Sequence, residues 1–231
     1  MSSYSDLDAV YLEIVSHFLV SSIPKTVRPY YTEVVGSMVF LRDLLTVRAI
    51  AELTALDPDD VITTLRPLQS VLTQTRDFDS SVSFYHASFS DFVTSDRCLE
   101  PALRFLPEER DAYLAKLCLT LMTKKLKENM ANIQDPMADM STMPGLADRI
   151  EPGIAYAARF WGSHLRGSTR IENREGLTAA LKDFIGFPLV YWVEVCGILG
   201  NVGPAVQCLL DALQWMVCDP RSDGILLTVD R

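Results

Sequence analysis

The sequence predicts a mainly α-helical protein with one small β-hairpin about a third of the way along the chain. Three observations predict it. Apolar residues recur at helical spacing through most of the 231 residues, the period changes around residues 71–86, and proline, aspartate and glycine fall where helices start and stop. With 48% apolar and 22% charged residues, the chain has the composition of a globular protein able to bury a sizeable core. Cys98, Cys118, Cys196, Cys208 and Cys218 form no C-x-x-C pair, and three of them lie inside apolar helical patterns. Free thiols in a reducing, cytoplasmic setting are therefore expected.

Leu7, Val10, Tyr11, Ile14, Val15, Phe18 and Leu19 trace one apolar stripe on a first helix, with Ser5 or Asp6 as its cap and Pro24 beyond its end. A second helix, 29–41, opens at Pro29 and carries Val34, Val35, Met38, Val39 and Leu41. A third runs from Thr46 to Leu56, capped by Thr46 or Asp43. Asp57-Pro58-Asp59-Asp60 then reads as a helix start: a cap, a first-turn proline, and acids at the positive end of the macrodipole. Capping also accounts for this acidic run without a metal ion. The helix it opens sets Val61, Leu65 and Leu68 on one face, and Pro67 shapes its last turn. Val71–Thr75, a polar turn Arg76–Ser81 and the alternating Val82–His86 form the hairpin. Phe89, Phe92 and Val93 share one face of a short helix after it. Three helices followed by a two-stranded wing outline a winged-helix domain, here preceded by one extra helix and spanning residues 1–95.

Residues 96–231 read as an α-helical domain. Leu114, Leu117, Cys118, Leu121 and Met122 stripe a helix that opens at Pro107, with Lys124, Lys125 and Lys127 at its C-terminal end. At about 130–149, Met130, Met137, Met140 and Met143 interleave with Pro136, Pro144 and Gly145; this predicts an irregular connection partly packed by thioethers. Further helices are expected near 151–167, 173–186, 188–200 and 203–218. Ile154, Ala157, Ala158, Trp161 and Leu165 form the buried face of the first, and Leu189, Trp192, Val193 and Cys196 that of the third. Trp161, Trp192 and Trp215 are expected in the core. In the most apolar stretch, Glu194 and Asp211 bracket only 16 uncharged residues, short of the ~20 that a membrane span needs. The N-terminus lacks the basic opening of a secretory signal. No membrane partner is expected.

The net charge of −9, with no positively charged segment, argues against a nucleic-acid partner. A winged-helix DNA-binding regulator is the first alternative, yet Arg66 is the one basic residue of the helix around Asp59–Leu68. P-loop, H-E-x-x-H and G-x-S-x-G patterns are absent, so no catalytic residue and no metal site is assigned. Gly197, Gly200 and Gly203 follow no strand and read as a loop between helices. A small helical enzyme with a site assembled from scattered residues near Trp161 or Trp192 is the second alternative. His17 is expected on a helix surface and His164 beside Trp161. His86, at the end of the hairpin on the face of Val82 and Phe84, has two readings: a core histidine bonded to a carbonyl, or an imidazole aimed at an anion near a helix N-terminus.

His86-Ala87-Ser88-Phe89-Ser90-Asp91-Phe92-Val93 resembles the H-x-S-F-x-[DE]-F-[LV] signature that closes the winged helix of NACHT-type signal-transduction NTPases. Leu7-Asp8-Ala9-Val10-Tyr11 resembles the LD-x-[LV]-Y helix that follows the nucleotide-binding core in fungal members. Val35–Asp43 is similar to their V-G-x-[IVM]-V-x-L-R-D segment, Leu68–Leu72 to L-H-S-V-L, and Tyr156–Leu165 to the YA-x-RFW-x-x-HL helix. The resemblance implies a non-catalytic regulatory arm whose winged helix folds against an NTPase core. It makes His86 the nucleotide-sensing residue, contacting the β-phosphate of ADP when a core is present. The sequence departs from the family in lacking a P-loop, in carrying Leu44 in place of a proline, and in having no β-propeller repeats. The expectation is thus half a nucleotide site at most, in a fragment or truncated relative. It would have no cofactor of its own, would meet ADP or ATP only when complemented by a NACHT core, and would take that core or a related chain as its protein partner.

Overall fold

The computed structural model describes residues 6–16, 30–73, 77–135, 137, 143–168 and 174–217. Among them are ten α-helices and one two-stranded antiparallel sheet, so the protein is mainly helical with a small β element. The chain divides into two compact units: Met1–Arg110 with Glu151–Tyr156, and Asp111–Ile150 with Ala157–Arg231.

In the first unit, α1 (Asp6–Ser16) is followed by a π-helical turn, Tyr31–Val35, that continues into α2 (Gly36–Phe40). The buried line of α1 differs from the expected stripe. Asp8, Tyr11 and Val15 face inward, while Leu7 and Val10 stand about half exposed. Asp8 is tolerated inside because Arg97 donates to its carboxylate at 3.0 Å. Phe18, Leu19, Pro24 and Pro29 lie outside the described residues.

A strand that the sequence reading missed, β1 (Leu45–Thr46), precedes α3 (Val47–Thr54). Two residues are too few to show a period of two. Thr46 is the N-cap of α3, its hydroxyl accepting from Ala49 N–H at 3.1 Å, and Ala55 ends the helix in the left-handed region at φ 57°. Asp57 caps α4 (Pro58–Leu65) by accepting from Asp59 N–H at 2.9 Å, and the 3₁₀ turn Arg66–Leu68 extends it. Val61, Leu65 and Leu68 are buried together on one side, as their spacing predicts.

β2 (Ser81–Val82) pairs antiparallel with β1, Leu45 opposite Val82 and Thr46 opposite Ser81. The expected pair of strands, Val71–Thr75 with Val82–His86, is therefore replaced: β2 starts at Ser81, its strand partner is β1, Gln74, Thr75 and Arg76 lie outside the described residues, and 71–73 meets the segment after β2 only through a bridge and backbone hydrogen bonds. Leu72 bridges Phe84, Thr73 N–H donates to Ser83 O at 2.8 Å, and Tyr85 N–H donates to Val71 O at 2.9 Å. The turn between the arms is tied back to α3. Arg48 donates its backbone N–H to Phe78 O and its side chain to Asp79, which holds the Asp79 carboxyl below the usual range. From β2 the chain enters α5 (Ala87–Val93), whose Phe89, Phe92 and Val93 are fully buried.

In the second unit, the body of α6 (Pro107–Lys125) is followed by an irregular connection, then by most of α7 (Pro152–Gly167), and by α8 (Glu175–Ile185), α9 (Phe187–Ile198) and α10 (Val202–Val217). The connection is packed by thioethers only in part: Met130 and Met143 are half-buried, Met137 is 91% exposed and Met140 lies outside the described residues, while Ala131, Leu146 and Ile150 are buried. Positive-φ Asn129 and Asn132 make its first turns. Trp161, Phe184 and Trp192 form an aromatic cluster with ring centroids 5.2–6.2 Å apart, and Trp192 Nε1 donates to Ala158 O at 2.9 Å. Gly162 sets the approach of α7 to α10, because a Cβ there would lie 2.5 Å from Cys208 Cα. Cys98, Cys118, Cys196 and Cys208 are buried free thiols. Burial pushes the Cys196 thiol up to about 12 and raises the other three as well.

Candidate functional site

His86 stands where the hairpin gives way to α5. Its backbone is extended, at φ −133° and ψ 136°, and its side chain makes no capping bond to the helix. The alternation that starts at Val82 continues, but its environment changes along the way: Val82 is buried, Phe84 is half-buried, and His86 is exposed. Of the two sequence readings, the buried core histidine is overturned. Pairing ends at Tyr85, so the ring sits one residue beyond the strand's covered face. Tyr85, 57% exposed, extends the outward surface next to it. With only seven residues, α5 supplies little dipole, so any recognition of an anion here falls to the imidazole itself.

The residues that follow His86 are anchored inward, which fixes the backbone beneath the ring. Ser88 Oγ lies 2.8 Å from Tyr11 Oη. Phe89, 1% exposed, meets Tyr11 edge-on at 5.4 Å and stacks on Phe84 at 4.7 Å. Phe92 lies against Tyr11 at 5.7 Å. Two sequence segments about 80 positions apart, Leu7–Tyr11 and His86–Val93, therefore form one packed contact. A third and a fourth also meet, as Arg42 N–H donates to Tyr156 Oη at 3.2 Å.

A second polar cluster lies in the other unit, and sequence spacing did not reveal it. His164 is fully buried, with Nδ1 2.7 Å from Asp111 Oδ1. It was expected as an edge beside Trp161; the close approach of α6 and α7 at Gly167 encloses it instead. A Cβ on Gly167 would come within 2.1 Å of Asp111 Oδ2. Ser168 lies one residue further on, buried as well. The residue types are those of a nucleophilic triad, yet Ser168 Oγ donates to Leu165 O at 2.7 Å and accepts from Trp215 Nε1 at 3.1 Å. Neither Asp111, His164 nor Ser168 is more than 6% exposed. A hydroxyl held this way faces no solvent from which a substrate could approach, so the cluster acts as a buried tie between helices.

Among the described residues, no three His, Cys, Asp or Glu side chains converge as a metal site. No described helix is long and apolar enough to cross a membrane. His17 and Cys218 lie outside the described residues. No known protein family, curated protein or solved structure matches the chain.

Proposed function

We propose that this chain is a non-catalytic regulatory module of the kind its motifs resemble. In this reading the surface around His86 docks on the nucleotide pocket of a NACHT-type NTPase core supplied by another chain. The observation that carries the reading is the placement of His86: an exposed imidazole above a backbone that Tyr11, Ser88, Phe89 and Phe92 hold rigid. A ring fixed this way can donate to a phosphate oxygen and so couple the presence of ADP to the position of the module. Two further observations support it. Four of the five segments that resemble the family meet in pairs, and the order helix, β1, α3, α4, β2 is compatible with the outline of a winged helix. Nucleotide would bind only in the complex, and the chain itself would use no cofactor. Docking on protein is favoured over duplex DNA because α4 and the turn that extends it carry a single basic side chain, the exposed Arg66, beside the acids Asp59 and Asp60.

The test is binding of the full chain to an ADP-loaded NACHT core, measured by biolayer interferometry. His86→Ala is expected to weaken binding by about 10–100-fold, the loss of one hydrogen bond to a charged group. Equal affinity for the two chains, or binding that ignores nucleotide, would remove His86 from the interface.

A further inference from the structure

Independently of that reading, the second unit carries an apolar face that no described element of that unit covers. On α10, Ala205, Cys208, Ala212 and Trp215 face inward. Val202, Val206, Leu209, Leu210, Leu213 and Val217 face outward, and all but Leu209 are more than half exposed. At 100° per residue these six fall within an arc of about 100°, the width of stripe that a helix normally turns toward a core. Phe187, Val190 and Val193 make a similar outward row on α9, with Phe187 81% exposed; Val193, expected on the buried face with Trp192 and Cys196, is 57% exposed instead. α10 is thus apolar on two faces and has only one of them satisfied.

We infer that the outward faces of α9 and α10 form the interface of a homodimer. Three features favour a second copy of this chain over other occupants. The first is spacing: Val202, Val206, Leu209, Leu213 and Met216 alternate steps of four and three, the heptad pattern by which helices interleave with their own kind. Two hairpins, one from each protomer, then make a four-helix arrangement about a twofold axis.

The second feature is charge. Between Gly186 and Val217 the only acidic or basic side chains are Glu194 and Asp211. Glu194 accepts from Asn129 N–H, and Asp211 is buried against Arg166 and Gln207. The face is therefore neutral on a chain of net charge −9, and two copies approach there without the repulsion they meet elsewhere.

The third is area. Eight of the nine outward residues are more than half exposed, and side chains of that size and number supply apolar area on the order of one partner's share of a standard interface, about 800 Å². Gly197 lies in the same outward arc of α9, and beyond its own helix no described atom of that unit is within 4 Å of the point where its Cβ would sit. A partner helix would occupy that space.

Sedimentation equilibrium of the full chain over a concentration series tests the inference. The expected mass is twice the 25.8 kDa of the chain. Val206→Glu/Leu213→Glu is expected to raise the dimer dissociation constant at least about 100-fold, while Leu99→Glu, at an exposed leucine elsewhere, leaves it unchanged. Circular dichroism shows whether each variant is folded, and Val206→Gln/Leu213→Gln gives the same comparison without added charge. A chain that stays monomeric up to the order of 100 µM overturns the inference. So does a dimer indifferent to both double variants, or a monomer whose face instead binds phosphatidylcholine vesicles.

Discussion

Urea unfolding of Asp111→Ala, followed by tryptophan fluorescence, is expected to show a stability loss of about 3–5 kcal/mol. Trp161, Trp192 and Trp215 are the only tryptophans and all belong to the second unit, so the signal reports that unit alone. The pair sits in the interior, the ring at 0% and the carboxyl residue at 6% exposure, with 2.7 Å between Nδ1 and Oδ1. Removing the carboxylate deprives the buried imidazole of its partner at Nδ1. That cost exceeds the net worth of the intact pair, because both groups lost water on folding. The double variant Asp111→Ala/His164→Leu is therefore expected to be more stable than the sum of the single losses predicts. A loss below about 1 kcal/mol for Asp111→Ala would mean the pair behaves like an exposed one, contrary to its burial.

Trp192→Ala is expected to cost a further unit-wide loss of about 3–5 kcal/mol, measured the same way with Trp161 and Trp215 as probes. The indole is fully buried, touches Trp161 at 5.7 Å and Phe184 at 6.2 Å, and ties α9 to α7 through its bond to Ala158 O. Truncation opens a cavity bordered by two large rings that have few rotamers with which to fill it. Trp192→Phe separates the contributions: it keeps most of the volume and removes the donor, for an expected loss of about 1–3 kcal/mol. Equal losses for the two variants would show that the hydrogen bond, rather than the packing, dominates.

The helices were legible because their signals are local. Asp57-Pro58 starts α4, Thr46 caps α3, and α7 to α10 begin and end within a few residues of where spacing placed them. The change of period marked the extended segment around Val82, but not its partner: the sheet pairs it with β1, whose two residues acquire meaning only opposite Ser81–Val82, while 71–73 reaches it through a single bridge. Buried charge was the least visible. Asp8 and Asp111 look like the acids that favour a helix's first turns, and their partners Arg97 and His164 are 89 and 53 residues away. Periodicity also placed Leu7 and Val10 in the core, because a stripe records which residues are apolar and not which side of it meets another element. The outward row of α10 is a similar case: its apolar residues signal a helix, and only the packing of the fold separates the covered face from the open one. His86 stands out by motif with two environments open to it, and its exposure overturns the buried one.

The most direct test of the docking account follows a fluorescent ADP analogue as it leaves a NACHT core. Added in excess, the wild-type chain is predicted to slow release at least about tenfold, and the His86→Ala chain to do so far less, since the lost contact is one made to the phosphate. Release at the same rate with and without the wild-type chain, under conditions where the two proteins bind, would contradict the account.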